Sequence, residues 1–182
     1  MSSQSETRLL SGPEMSDLLD QLAANIVQSH NGQTGLTLIG IQRGGAHLAR
    51  RLKERLDKNL KTSLPLGIID INLYRDDWTR SSIKPRVGKT EIPFSIDNKD
   101  VLLIDDVLYT GRTVRAAMDA LIDFGRPRRI ELLVFVDRGH RELPIAPDFV
   151  GLVTETDRDD LVNVYLQEQD GRDEVALLRK SD

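Results

Sequence analysis

The chain is 182 residues long with no cysteine, 39% apolar and 30% charged side chains, and a formal net charge of −4. That length holds one domain with a real core, and the missing cysteines exclude disulfides, thiol catalysis and thiolate metal sites. The acidic balance argues against a general nucleic-acid binder, while leaving room for a local basic face. The polar start MSSQSETR carries no secretory core, and no apolar run approaches a membrane span, so a cytoplasmic location is expected. Residues 1–8 read as a flexible tail and residues 9–182 as a single domain.

In chain order, Ser11-Gly12-Pro13-Glu14 predicts a helix start, with proline in the first turn. Met15, Leu18, Leu19, Leu22, Ala23, Ile26 and Val27 form an apolar stripe that runs to Ser29, and Asn31-Gly32 ends it. Leu36 to Ile41 reads as a buried strand. Gln42-Arg43-Gly44-Gly45 follows, and then a helix from about Ala46 to Leu60 with Leu48, Leu52 and Leu56 inward. Two glycines and an arginine before a helix N-terminus suit a pyrophosphate, although Gly-Gly is also a common turn.

Leu64 to Tyr74 alternates and predicts a strand. Arg75 to Ile92 then carries Arg80, Lys84, Arg86 and Lys89 with no apolar period. It reads as a solvated loop, of the kind that serves as a lid over a polyanionic substrate.

Val101 to Ile104 is a four-residue apolar run, read as a buried strand, and Asp105-Asp106 follow at once. Next come Val107-Leu108-Tyr109-Thr110-Gly111-Arg112-Thr113, then a helical pattern in Val114, Ala117, Met118, Leu121 and Ile122. A loop before a helix N-terminus favours an anion, Gly111 allows close approach, and Thr110 and Thr113 supply hydroxyls, with Thr113 also able to cap the helix. Carboxylates beside a phosphate make sense when they face sugar hydroxyls or a hydrated magnesium ion. The competing reading is a strand–turn–helix with two exposed aspartates.

Gly125-Arg126-Pro127 breaks the chain before a further buried strand, Ile130 to Val136. Asp137-Arg138-Gly139-His140-Arg141 stands at its end, placed to read a base. Phe149 to Val153 and Leu161 to Leu166 are short strands, and Asp170-Gly171 turns into Glu174 to Leu178 as an antiparallel hairpin. The sum is an α/β fold: a mostly parallel twisted sheet with helices on both faces, a flexible lid and a C-terminal β-hairpin.

Val101 to Thr113 resembles the phosphoribosyl pyrophosphate (PRPP) signature of type I phosphoribosyltransferases. The variant DDVLYTGRT is similar to the branch of uracil phosphoribosyltransferases that also regulate pyrimidine operons. GIQRGG from Gly40, DINLYRDD from Asp70 and VDRGHRELP from Val136 agree with it, and the resemblance spans nearly the whole chain.

It implies that uracil and PRPP give UMP and pyrophosphate, with Mg2+ carried by PRPP and met by Asp105 and Asp106. PRPP would be held by Gln42, Arg43, Gly44 and residues Asp105, Asp106, Val107, Leu108, Tyr109, Thr110, Gly111, Arg112 and Thr113. Asp105, Asp106 and Arg43 would be catalytic, with Arg80 and Lys84 in the lid and Arg138 and Val162 at the uracil. No covalent intermediate is expected, and Asp106 is the one candidate for a general base.

The branch also binds pyrimidine leader RNA under UMP or UTP control, attenuating transcription, and forms homodimers or homotetramers. RNA-binding members place basic residues on the first helix. Here Met15 to Ser29 holds no Lys, Arg or His and carries Asp17 and Asp20, which argues against that route. Arg126, Arg128, Arg129, Arg138 and Arg141 are the remaining basic groups. The enzyme reading is therefore preferred to an RNA-binding attenuator that senses UMP or UTP with little catalysis, and to a silent nucleotide-binding module.

Overall fold

The computed structural model describes residues 4–32, 35–72, 74 and 89–180. Arg80 and Lys84, and with them the expected lid, lie outside the described residues. The elements run β1 (Gln4–Ser11), α1 (Gly12–Ser29), β2 (Leu36–Ile41), α2 (Gly44–Leu60), β3 (Leu66–Ile69), β4 (Asp100–Leu108), α3 (Arg112–Ile122), β5 (Arg129–Asp137), β6 (Phe149–Val153), β7 (Leu161–Tyr165), α4 (Gln167–Asp170) and β8 (Glu174–Lys180).

Five strands pair in the order β3-β2-β4-β5-β6, every neighbour parallel. Helices cover both faces, which is why β2, β4 and β5 read as unbroken apolar runs rather than alternating ones. Leu102 and Ile104 of β4 join Leu38, Leu133 and Phe135 in a core under α1 and α2. Val101 and Leu103 join Ile39, Leu132 and Val134 in a second core under α3. The helix start at Ser11 holds as expected. The Glu14 carboxylate accepts hydrogen bonds from the Ser11 backbone N–H at 2.7 Å and from its hydroxyl at 2.6 Å.

The hairpin of β7 and β8 is present, joined by the short α4, and it is one strand wider than expected. Residues 4–8, expected in a tail, are the first part of β1, which pairs antiparallel with β8 from Gln4↔Lys180 to Ser11↔Glu174. The open edge of β8 supplies the partner that the polar tail sequence does not advertise.

β3 is shorter than the expected Leu64–Tyr74, because the Asp70 carboxylate accepts the Asn72 N–H at 3.0 Å and turns the chain. Both helices of the sheet's ligand-binding edge also start two residues earlier than expected, α2 at Gly44 and α3 at Arg112. Gly111, at φ +92°, stands at the cap of α3, so Thr113 lies inside the first turn and does not cap it.

Candidate active site

The site is built at the carboxyl ends of the parallel strands, where loops from β2, β4 and β5 converge. β4 pairs with β2 only as far as Gly40↔Ile104, yet continues along β5 to Leu108↔Asp137. The acidic pair is therefore inside the strand and not beyond it, a correction to the sequence reading. Past Ile104 one side of β4 is left to the loop Gln42–Gly44.

Gly44 and Gly45 pack directly against that side. A Cβ on Gly45 would stand 2.3 Å from the Ile104 carbonyl oxygen, and a Cβ on Gly44 2.1 Å from Asp106 Oδ2. Gly45 is required by the close approach of the β4 backbone, and Gly44 leaves room for the Asp106 side chain. The Gln42 N–H donates to the Ile69 carbonyl at 2.9 Å, and the Gln42–Arg43 peptide is cis. Arg43 is exposed at the start of α2, and among the described residues no hydrogen bond or ion pair fixes its guanidinium.

Neighbouring residues on a strand face opposite ways, and the two acids divide accordingly. Asp106 turns toward Gly44, with its Oδ1 accepting the Val107 N–H at 2.9 Å. Asp105, only 4% exposed, accepts the Asp106 N–H at 3.0 Å and lines a cavity on the α3 side. That cavity is about 340 Å³ and is otherwise lined by Val107 to Val114 and Glu142. Its floor is the first turn of α3, whose leading N–H groups have no acceptor within the helix. The Arg112 N–H lies 3.4 Å from Thr110 Oγ1, and the Arg115 N–H donates to the Gly111 carbonyl at 3.0 Å. A larger cavity of about 440 Å³ sits at the amino ends of β4 and β5, beside His30, Asp100, Arg128 and Arg129. Its arginines are tied to Asp100 and Glu131, and it is remote from the loops just described.

Residues 137–145 wall the site from the side of β5. Arg138 is 5% exposed, with its guanidinium 4.0 Å over the Tyr109 ring. Its Nη2 donates to the Asp157 carbonyl at 2.8 Å, and its Nε to Thr156 Oγ1 at 3.3 Å. Tyr109 in turn donates its hydroxyl to the Arg158 carbonyl at 3.1 Å. Three loops are thus joined around one buried cation. Val162, on β7, is buried in the core under α1 and α2.

Arg141 is a joint that sequence reasoning missed. It pairs with Asp137 and donates to the Tyr109 carbonyl at 2.9 Å and the Ile145 carbonyl at 3.1 Å. The Asp-x-x-x-Arg spacing in DRGHR was the available signal. Glu142, also missed, pairs with Arg112 at 2.9 Å. His140 places Nε2 2.6 Å from the Thr156 carbonyl, which engages that nitrogen as a donor. His30 is buried, with Nδ1 2.9 Å from the Ile26 carbonyl and Nε2 2.7 Å from Glu131, a structural role.

The stems of the expected lid are clamped to each other. Ile68 and Glu91 exchange two backbone hydrogen bonds of 2.8 Å, and the Asp70 N–H donates to Thr90 Oγ1 at 3.0 Å. Asp70 Oδ2 is buried and finds no hydrogen-bond partner among the described residues.

No group of three or more His, Cys, Asp or Glu among the described residues could hold a metal ion, and no described helix is long and apolar enough to cross a membrane.

Two strand acids thus lie between a glycine loop and a cavity floored by the first turn of α3, and comparison with known proteins gives the class of the chain. The Phosphoribosyl transferase domain family matches residues 5–169. A hypoxanthine phosphoribosyltransferase of Staphylococcus aureus superposes with a TM-score of 0.70 at 24% identity, covering 95% of this chain and 92% of that one. The enzyme of Trypanosoma cruzi gives 0.71 at 16% identity, covering 96% and 97%. At these identities they establish the fold.

Nearer relatives refine the class. "Bifunctional protein PyrR" of Syntrophobacter fumaroxidans is 54% identical over 159 residues, 87% of this chain and 86% of that protein. The protein of the same name from Thermus aquaticus is 49% identical over 175 residues, 96% and 97% of the two chains. The chain belongs to the phosphoribosyltransferase family, and within it to the PyrR group.

Proposed function

We propose that the protein transfers the phosphoribosyl group of PRPP to uracil, forming UMP and releasing pyrophosphate. The observation that carries this reading is the meeting of the Gly44-Gly45 loop with Asp105-Asp106 beside the anion pocket of residues 109–113. A 5′-phosphate fits the first turn of α3, with the Thr110 and Thr113 hydroxyls and the N–H groups around Gly111 as donors. Asp105 and Asp106 hold the ribose hydroxyls. Arg43, with Arg80 and Lys84 from the residues outside the described set, takes the pyrophosphate.

The C1–oxygen bond to pyrophosphate breaks as uracil N1 bonds to C1, and the N1 proton passes to Asp106 or to solvent water. Positive charge grows at C1 as in glycoside cleavage, so two nearby carboxylates favour the transition state. No covalent intermediate is needed. A carboxylate oxygen of Asp105 or of Asp106, which face opposite sides of β4, would give a hard divalent cation one protein ligand, with water and PRPP oxygens filling the rest of its shell, the usual setting for magnesium. Bound there with PRPP, magnesium would neutralise the leaving group's charge. The wall at residues 137–141 orients the base, with Arg138 acting through Tyr109 and the 156–158 backbone and Val162 backing it from the core.

A second activity is favoured by the word "bifunctional" in the relatives' name: binding of pyrimidine leader RNA in response to UMP or UTP. Of the five arginines singled out from sequence for its basic face, Arg126 is exposed and the other four are engaged. Arg128 and Arg129 pair with Asp100 and Glu131, and Arg138 and Arg141 are engaged within the site wall. Asp20 of α1 pairs with Arg55 at 2.7 Å. Assembly as a homodimer or homotetramer belongs to the same proposal.

Calorimetric titration with PRPP and magnesium, then with leader RNA with and without UMP, tests both activities. PRPP binding without RNA binding removes the attenuator, and UMP formation from uracil then decides between a transferase and a silent module. The reverse leaves an attenuator that senses nucleotides.

A further inference from the structure

Glu142 is a carboxylate in a cavity that the proposed function assigns to a phosphate, and the ribose chemistry already has its two acids. Like charge beside a dianionic ligand needs its own explanation. The backbone of Glu142 is bound to the phosphate loop: its N–H donates to the Thr110 carbonyl at 3.0 Å, and the next N–H, of Leu143, to the same oxygen at 3.2 Å. Its side chain faces the loop's own cation, with Oε2 accepting Arg112 Nε at 2.9 Å and Oε1 4.0 Å from Arg158.

Two arginine–carboxylate pairs stand in this region, and they differ in kind. Arg141–Asp137 is 25% and 13% exposed, and Arg141 is further fixed by the Tyr109 and Ile145 carbonyls. Arg112–Glu142 is 42% and 38% exposed. An ion pair open to solvent is weak and can be exchanged, whereas a phosphate offers an arginine a stronger, charge-assisted pair.

We propose that Glu142 is a positioning residue that holds Arg112 before phosphate binds and yields it to the 5′-phosphate, so that phosphate binding is an exchange of anions. The carboxylate keeps the arginine pre-oriented at the pocket mouth. It also opposes the bound phosphate, which weakens retention of the phosphorylated product and hastens its release. The inference rests on reading residues 109–113 as the phosphate loop, but not on which base the enzyme uses.

The test is calorimetric binding of ribose 5-phosphate and of magnesium pyrophosphate to the full chain and to Glu142→Gln, which keeps an acceptor for Arg112 and removes the charge. Ribose 5-phosphate should bind Glu142→Gln about three- to tenfold more tightly, the effect of removing one like charge at partly solvated range. Pyrophosphate affinity should not change, and the gain should be smaller from Arg112→Ala to Glu142→Gln/Arg112→Ala, where no arginine is released to the phosphate. Equal or weaker ribose 5-phosphate binding by Glu142→Gln overturns this inference alone. Failure of the unaltered chain to bind ribose 5-phosphate overturns the phosphate-loop reading and the inference with it.

Discussion

Gly44 and Asp106 are in contact across the two halves of the site: a Cβ added at Gly44 would lie 2.1 Å from Asp106 Oδ2 and 2.6 Å from its Cγ. The proposed pyrophosphate loop thereby packs directly on the proposed ribose acid. Gly44→Ala should displace Asp106 and cost roughly 1–3 kcal/mol of stability through overpacking. Phosphoribosyl transfer should fall far more than that loss of folded protein explains. Thermal unfolding beside initial rates separates the two effects.

Asp106→Asn keeps the shape that packs on Gly44 and removes the charge. If the carboxylate stabilises positive charge at C1, turnover should fall on the order of 10²-fold, the usual size of one preorganised electrostatic contact. PRPP affinity should stay within a few-fold. Unchanged turnover with PRPP still bound would remove Asp106 from the chemistry.

Much of this arrangement was legible in residue order. The apolar run Val101 to Ile104 announced a strand buried on both faces, and Tyr109-Thr110-Gly111 announced the turn into α3, although Asp105 to Leu108 continue the strand. What was not legible depends on partners distant in sequence. Thr113 has the chemistry of a cap, but the helix begins at Arg112 because Gly111 supplies the positive φ. Residues 4–8 lack an apolar rhythm, and only the free edge of β8 makes them a strand. Arg138 looked like a base-reading side chain. Its burial under Tyr109 arises from the 154–160 loop folding back, which no local pattern records.

Arg138→Leu should destabilise the protein by about 2–4 kcal/mol, since it strands the Asp157 carbonyl and removes the buried cation from Tyr109. Arg138→Lys should rescue little, because a single ammonium replaces neither the planar stack nor the forked donors. Denaturant unfolding of both variants measures this.

The tie between α2 and the three-stranded sheet should be sensitive to acid. Arg51 donates to Glu168 at 2.8 and 2.5 Å and to Asp173 at 2.7 Å. The hydrogen bond from Arg51 lowers the Glu168 pKa below its ordinary carboxylate value. A carboxylate depressed in the folded state contributes stability that is fully present above its unfolded pKa and lost as pH falls through its folded one. The pair is partly solvated, so its contribution is about 1 kcal/mol or less. Melting temperature from pH 7 downward should fall less steeply in Glu168→Gln than in the unaltered chain, with the curves converging in acid.

The most direct test of the central claim is UMP formation from uracil and PRPP with magnesium, followed by chromatography, with hypoxanthine offered in parallel. The proposed function predicts UMP and pyrophosphate in equal amounts, with no product from hypoxanthine. PRPP bound but no UMP formed, or the purine used in place of uracil, would contradict it.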